Sequence, residues 1–202
     1  MIAIAPASPL GPLSPADLRY IRKNFLPLAD VCRIHGIELS TATAHIEARR
    51  LPLPSYALED GTPMYPRDVF ALLEAAGSID ALTEHFLARY EAIARSHSAF
   101  DPQNGFREWD GYLSGEYGVC LRQVTPETIF LKERLVTLLE EQLANALPEE
   151  EDWRARLSER VRALDALERP FTACDRFRFG KPSSRERLID EPRKRYRWLD
   201  RA

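Results

Sequence analysis

Long apolar runs are missing from this 202-residue sequence. Charge interrupts each stretch within a few residues, as Glu74 does between Val69 and Ala76, and none nears the roughly 20 residues that cross a bilayer. A membrane partner is therefore not expected. Cysteine is scarce too: Cys32, Cys120 and Cys174 are odd in number, far apart and without CxxC spacing. That fits neither a disulfide framework nor a zinc site and points to a reducing cytoplasm. The four histidines, His35, His45, His85 and His97, form no HExxH and no pair four apart, so neither a metal nor another cofactor is expected. A glycine-rich phosphate loop and a Gly-x-Ser-x-Gly elbow are lacking as well. The N-terminus has no basic region and is broken by Pro6, Pro9, Pro12 and Pro15, which argues against a signal peptide. Residues 1–13 read as a flexible arm.

What is present is the composition of a globular chain: 45% hydrophobic side chains, enough to fill a core, against 29% charged. Charge is unevenly spread. Residues 1–77 carry 7 basic and 8 acidic groups, residues 78–168 carry 10 and 18, and residues 169–202 carry 11 and 5. The basic tail is suited to an anion, a nucleic-acid backbone or the acidic middle of its own chain, and the last needs no partner.

Ser14-Pro15-Ala16-Asp17 is a helix start, with a capping serine, proline where its missing N–H is harmless, and an acid at the positive end of the dipole. Leu28, Val31, Cys32 and Ile34 give an apolar stripe closed by Gly36 as a left-handed cap, and Ser40 is expected to cap a third helix to about Arg50. In that helix Ala42, Ile46 and Ala48 are candidates for burial. Asp60-Gly61 supplies a tight hairpin between Tyr56-Ala57-Leu58 and Pro63-Met64-Tyr65. Ile79, Leu82, Phe86 and Tyr90 share a helical face, Asp101 to Gly105 reads as a loop, and Phe106 to Arg122 as broken helix with close backbone packing around its glycines. Thr125-Pro126-Glu127 starts a helix to about Ala146. Another carries Trp153, Leu157, Val161 and Leu164, expected to pack on Leu135, Leu138 and Leu139. Ser184 is a candidate cap for a last short helix.

Helix, glycine turn, helix, hairpin, helix is the order of a winged helix-turn-helix. The predicted fold is all-α with one small β-hairpin wing: a winged helix-turn-helix over 14–77 packed on a helical C-terminal domain over 78–202. Leu28 to Ile37, Ser40 to Pro52 and Tyr56 to Tyr65 resemble the DNA-binding domain of MerR-type regulators and excisionases. The resemblance implies that the helix after the glycine enters the major groove while the wing touches backbone. Ser40, Thr41, Thr43, His45, Arg49 and Arg50 would then face DNA, with Arg67 near a phosphate. Against this stand the slight acidity of residues 1–77 and the Glu59-Asp60 hairpin tip, since phosphate contacts require cations. A protein partner is the alternative use of the same module, and a homodimer is left open.

Tyr20 to Leu28, Tyr112 to Arg122 and Leu164 to Phe171, with Asp175-Arg176 and Arg178-Phe179-Gly180, are similar to an uncharacterised bacterial family labelled as natural-product biosynthesis proteins. The likeness implies a helper or regulator and transfers no catalytic residue. Arg122, Asp175, Arg176 and Arg185 are candidates for binding an anionic small molecule through bidentate arginine contacts, or else members of a structural ion-pair network. Cys120 reads either as a nucleophile beside Arg122 or, by the usual burial of free cysteine, as core. The leading expectation is a non-catalytic regulatory or adaptor protein binding DNA or a protein; the alternative is an enzyme or small-molecule-binding accessory protein.

Overall fold

A computed structural model describes residues 5–6, 12–99 and 101–201. Residues 1–4 and 7–11 of the expected arm lie outside them. The described chain is helical with one small three-stranded antiparallel sheet. Helix α1 (Pro15–Asn24) begins as expected: Ser14 Oγ accepts from the Asp17 amide while Asp17 accepts from the Ser14 amide. It ends where the backbone turns extended at Phe25, which cannot stay helical ahead of Pro27. Those residues form a strand that the sequence reading did not foresee, β1 (Phe25–Pro27).

Helix α2 (Leu28–His35), α3 (Leu39–Glu47), β2 (Tyr56–Ala57) and β3 (Pro63–Pro66) follow. The strands lie in the order β1-β3-β2, so β3 is central, pairing Leu26 with Tyr65 on one side and Tyr56 with Met64 on the other. Gly61 turns the hairpin at φ 81°, and Asp60 accepts from the Thr62 amide, as the Asp-Gly signal required. Two details differ from expectation. Helix α3 starts at Leu39 with Glu38 before it, leaving Ser40 inside the first turn, and Ala48 is exposed beyond the helix end. Gly36 caps α2 in the left-handed region at φ 64°, as expected, and a Cβ there would meet nothing within 4 Å.

After α4 (Ala71–Ala76) come α5 (Leu82–Ser96) and α6 (Pro102–Leu113). The stretch expected as a loop is the first turn of α6. Asp101 accepts from the Gln103 amide, Pro102 opens the helix, and the buried Gly105 lets α6 lie against Leu87 and Tyr90 of α5. A short α7 (Tyr117–Cys120) follows, then α8 (Pro126–Ala144) and α9 (Glu151–Leu167), the longest antiparallel pair. Trp153, Leu157, Val161 and Leu164 are all buried in one cluster with Leu139, and Leu135 packs on it, as their spacing predicted, whereas Leu138 is half-buried outside that cluster. The chain closes with α10 (Ala173–Phe179), a π-helical turn (Glu186–Asp190), α11 (Glu191–Arg195) and a 3₁₀ turn (Arg197–Arg201). Ser183, not Ser184, supplies the cap, exchanging hydrogen bonds with Glu186.

The main core cluster runs from Leu28 in α2 to Phe130 in α8, so residues on both sides of Gly77 share it. A second cluster joins Ile21, Phe25, Tyr56 and Met64 to Val119 and Cys174. The glycines of the aromatic segment make this contact feasible. Gly115, at φ 75°, sits so close to the chain before β2 that an added Cβ would fall on the Leu53 carbonyl, and one at Gly118 would meet Ser55 and Pro66. The backbone approach is fixed by the Leu53 amide donating to Leu113 O (2.9 Å) and Ser55 Oγ donating to Gly115 O (2.9 Å).

His35 ties α2 to α4. One ring nitrogen lies 2.5 Å from the Glu74 carboxylate and the other 2.9 Å from the Arg67 carbonyl, so both face acceptors and the doubly protonated ring satisfies both. Burial alone would push its pKa down, but the Arg67 carbonyl and Glu74 together raise it above the ordinary histidine value.

Two measurements check this packing. Gly115→Ala should cost at least about 2 kcal/mol in urea unfolding, from left-handed strain plus overlap, whereas Gly36→Ala, with open space, should cost only about 1 kcal/mol; equal losses would contradict the close approach. Because the folded pKa of His35 is raised, its stabilisation is complete below about pH 6.5 and is lost as pH rises through the folded value. The stability difference between wild type and His35→Gln should therefore be larger at pH 5.5 than at pH 8.5, and a pH-independent difference would contradict the assignment.

Candidate functional site

The residues expected to face DNA are unequal in exposure. Ser40 and Thr41 are exposed in the first turn of α3, while Thr43 and His45 are half-buried. Arg49 is exposed just beyond the helix in the left-handed region (φ 57°), and Arg50 is ion-paired to Asp80. Arg67 is exposed across the module, its carbonyl engaged by His35. The hairpin tip carries exposed Glu59 and Asp60.

The corner between α2 and α3 also shows apolar surface that the periodicity did not announce. Ile34, read as part of the buried stripe of α2, is 56% exposed, and Leu39 is 45% exposed on the far side of the Gly36 turn. Leu28, Val31 and Cys32 fill the inward face without Ile34. Around this corner Arg33 is paired to Asp30 at 2.9 Å. Glu38, between the two apolar side chains, is exposed as well.

The four residues offered as an anion site serve separate partners. Asp175 is fully buried, accepting from Tyr56 Oη (2.9 Å) and from the Thr172 amide (2.8 Å). Burial pushes its carboxyl up, against the pull of these hydrogen bonds and Arg178. Arg176 pairs with Glu186 at 2.5 Å, and Arg185 with Asp165 at 2.6 Å. Arg122 is exposed, its amide donating to Leu167 O and its carbonyl accepting from Arg169. The basic tail thus folds back on the acidic middle: Arg178 reaches Glu116, Arg187 reaches Glu140, and Arg185 and Arg193 both reach Asp165.

A different constellation emerges around Glu168, which is 1% exposed. Its Oε1 accepts from Ser184 Oγ and lies 3.5 Å from the Lys132 ammonium. Cys120 stands close enough to Lys132 to favour its charged form. Burial opposes charging of Lys132, but its neighbours Cys120 and Glu168 outweigh it and raise its pKa; burial raises Glu168, against Lys132, Ser184 and Arg185. Val119 and Leu121 are core, whereas Cys120 is only half-buried, and its basic neighbour is Lys132 rather than Arg122. A signal for Lys132 existed: it sits three residues after Ile129 and four before Val136, a lysine on the apolar stripe of its helix.

Among the described residues no group of three or more His, Cys, Asp or Glu side chains could hold a metal ion, and no helix is long and apolar enough to cross a membrane. No curated protein and no solved structure matches the sequence. A family profile described as "Family of unknown function (DUF6058)" matches residues 76–197, from the end of α4 to the 3₁₀ turn and so including the Lys132–Glu168 pair, and the chain belongs to that family.

Proposed function

We propose that this chain is a non-catalytic regulatory or adaptor protein whose winged helix-turn-helix docks on a protein partner through the corner between α2 and α3. The observation that carries this reading is the pair Ile34 and Leu39, large apolar side chains exposed on either side of the turn. Strand order also supports the winged module, since β1, inserted between α1 and α2, braces the hairpin from behind. Charge weighs for protein over DNA. A protein making six to ten phosphate contacts needs about as many cations, and here Arg50 is neutralised by Asp80, Arg33 by Asp30, and the wing tip is acidic. The similarity to natural-product biosynthesis proteins fits such a helper role beside biosynthetic genes.

The DNA reading keeps one favourable feature, the small exposed Ser40 and Thr41 opening α3, which allow close approach to a groove. In vivo photo-crosslinking from positions 34 and 39, with position 106 as an exposed apolar control, separates the two. The protein reading expects one shared protein adduct at 34 and 39, absent at 106. A mobility shift with upstream DNA whose salt slope falls by about 0.9 on each of Arg49→Ala, Arg50→Ala and Arg67→Ala, without a protein adduct, would overturn it in favour of DNA.

A further inference from the structure

Away from the helix-turn-helix, a cleft of about 330 Å³ opens between α7, α8 and the segment around α10, within the size range of small-molecule sites. One wall is aromatic: Phe171 and Phe179 stack with ring centroids 5.5 Å apart, and the Arg178 guanidinium covers Phe179 at 5.0 Å. Val136 of α8 extends the apolar surface opposite. Its charged side chains are mostly cationic, beside the hydroxyls of Tyr117, Ser183 and Ser184. Lys132 lies in the floor, Lys181 and Arg187 at the rim, and Glu116 is the one acidic side chain among the described lining residues. Glu116 has Arg178 3.5 Å away, and Arg187 has Glu140 at 2.7 Å.

Lys132 is the built element of this cleft. Its side chain is 17% exposed, and an ammonium carries three donors. Glu168 Oε1, 3.5 Å away, engages one of them, leaving donors for an occupant of the cleft that Lys132 lines. Glu168 holds Lys132 and Ser184 on the same oxygen, so the cation is positioned before anything binds. Its other oxygen, Oε2, is buried without a hydrogen-bond partner, so the pair is retained although its polar groups are not all satisfied, a costly arrangement for a purely structural core. Predominantly apolar walls with one fixed cation suit an amphipathic anion better than a phosphate, which would call for several convergent donors or a backbone nest.

We propose that this cleft binds a small carboxylate with an aromatic body, the carboxylate meeting Lys132 and the ring lying on the Phe171–Phe179 wall. The site lies within the part of the chain that defines its family and does not rest on the docking reading. Cys120 reports on occupancy, because it lines the cleft while Cys32 and Cys174 are buried.

The test uses the full chain with phenylacetate, its neutral amide and inorganic phosphate as probes. Binding is read by calorimetry and by protection of Cys120 from iodoacetamide, located by mass spectrometry. Phenylacetate should bind, slow alkylation of Cys120 and exceed the amide by about tenfold, the equivalent of one charge-assisted contact. Lys132→Met should abolish that preference, and Lys181→Ala should weaken it by a smaller factor. Lys132→Met strips Glu168 of its counter-charge; should it fail to fold, the acid-to-amide ratio on wild type and on Lys181→Ala decides. Equal binding of acid and amide, absence of protection at Cys120, or protection by phosphate as strong as by phenylacetate would each overturn the proposal.

Discussion

A buried polar clasp joins the two ends of this chain, and the other features hang on it. The Tyr56 hydroxyl in β2 donates to Asp175 in α10 at 2.9 Å, across 119 residues of sequence. Next to it the Arg178 side chain, wholly buried, donates to the Ser55 carbonyl at 2.7 Å. A charge and a phenol taken out of water are tolerable only when such partners are in place. The clasp therefore fixes one position of α10 against the sheet rather than merely adding stability. The glycine approach at Gly115 and Gly118 completes the same contact from the other side. Through it the hairpin is braced, and the Phe171 and Phe179 wall is set opposite α8.

The basic tail has the same logic at larger scale. Its arginines meet Glu116, Glu140, Asp165 and Glu186. Where these pairs are exposed each contributes little, about 0–1 kcal/mol. Their collective effect is on geometry, because a tail of +6 lying on a middle of −8 is drawn to one register.

Much of the fold was legible because short-range rules acted alone. Ser14 and Thr125 caps, the Asp60-Gly61 turn and the stripe of Trp153, Leu157, Val161 and Leu164 depend on spacings of two to eleven residues. The misses share a different cause. Strand β1 exists only because β3 lies ready to pair with Phe25 to Pro27, and Gly105 stays helical only because α5 offers a surface for it. The candidate sites divided in the same way. The exposed start of α3 at Ser40 and Thr41 followed from local helix order, whereas Lys132, its partner Glu168 and the neighbouring Cys120 and Ser184 come from separate elements whose meeting no local spacing encodes. Ile34 shows the reverse error, an apolar residue in register with a stripe yet turned to solvent because α2 already fills its inner face with Leu28, Val31 and Cys32.

If the clasp is what makes the N-terminal module and the tail one cooperative unit, a single atom removed from it must be felt on both sides. Native-state hydrogen exchange in graded urea on wild type and Tyr56→Phe measures this directly. Wild type should open β3 and α10 with the same free energy, and loss of the hydroxyl should lower both together by about 1–3 kcal/mol, since Asp175 is left with an unmet acceptor. A drop confined to the sheet, with α10 exchanging as in wild type, would contradict the account.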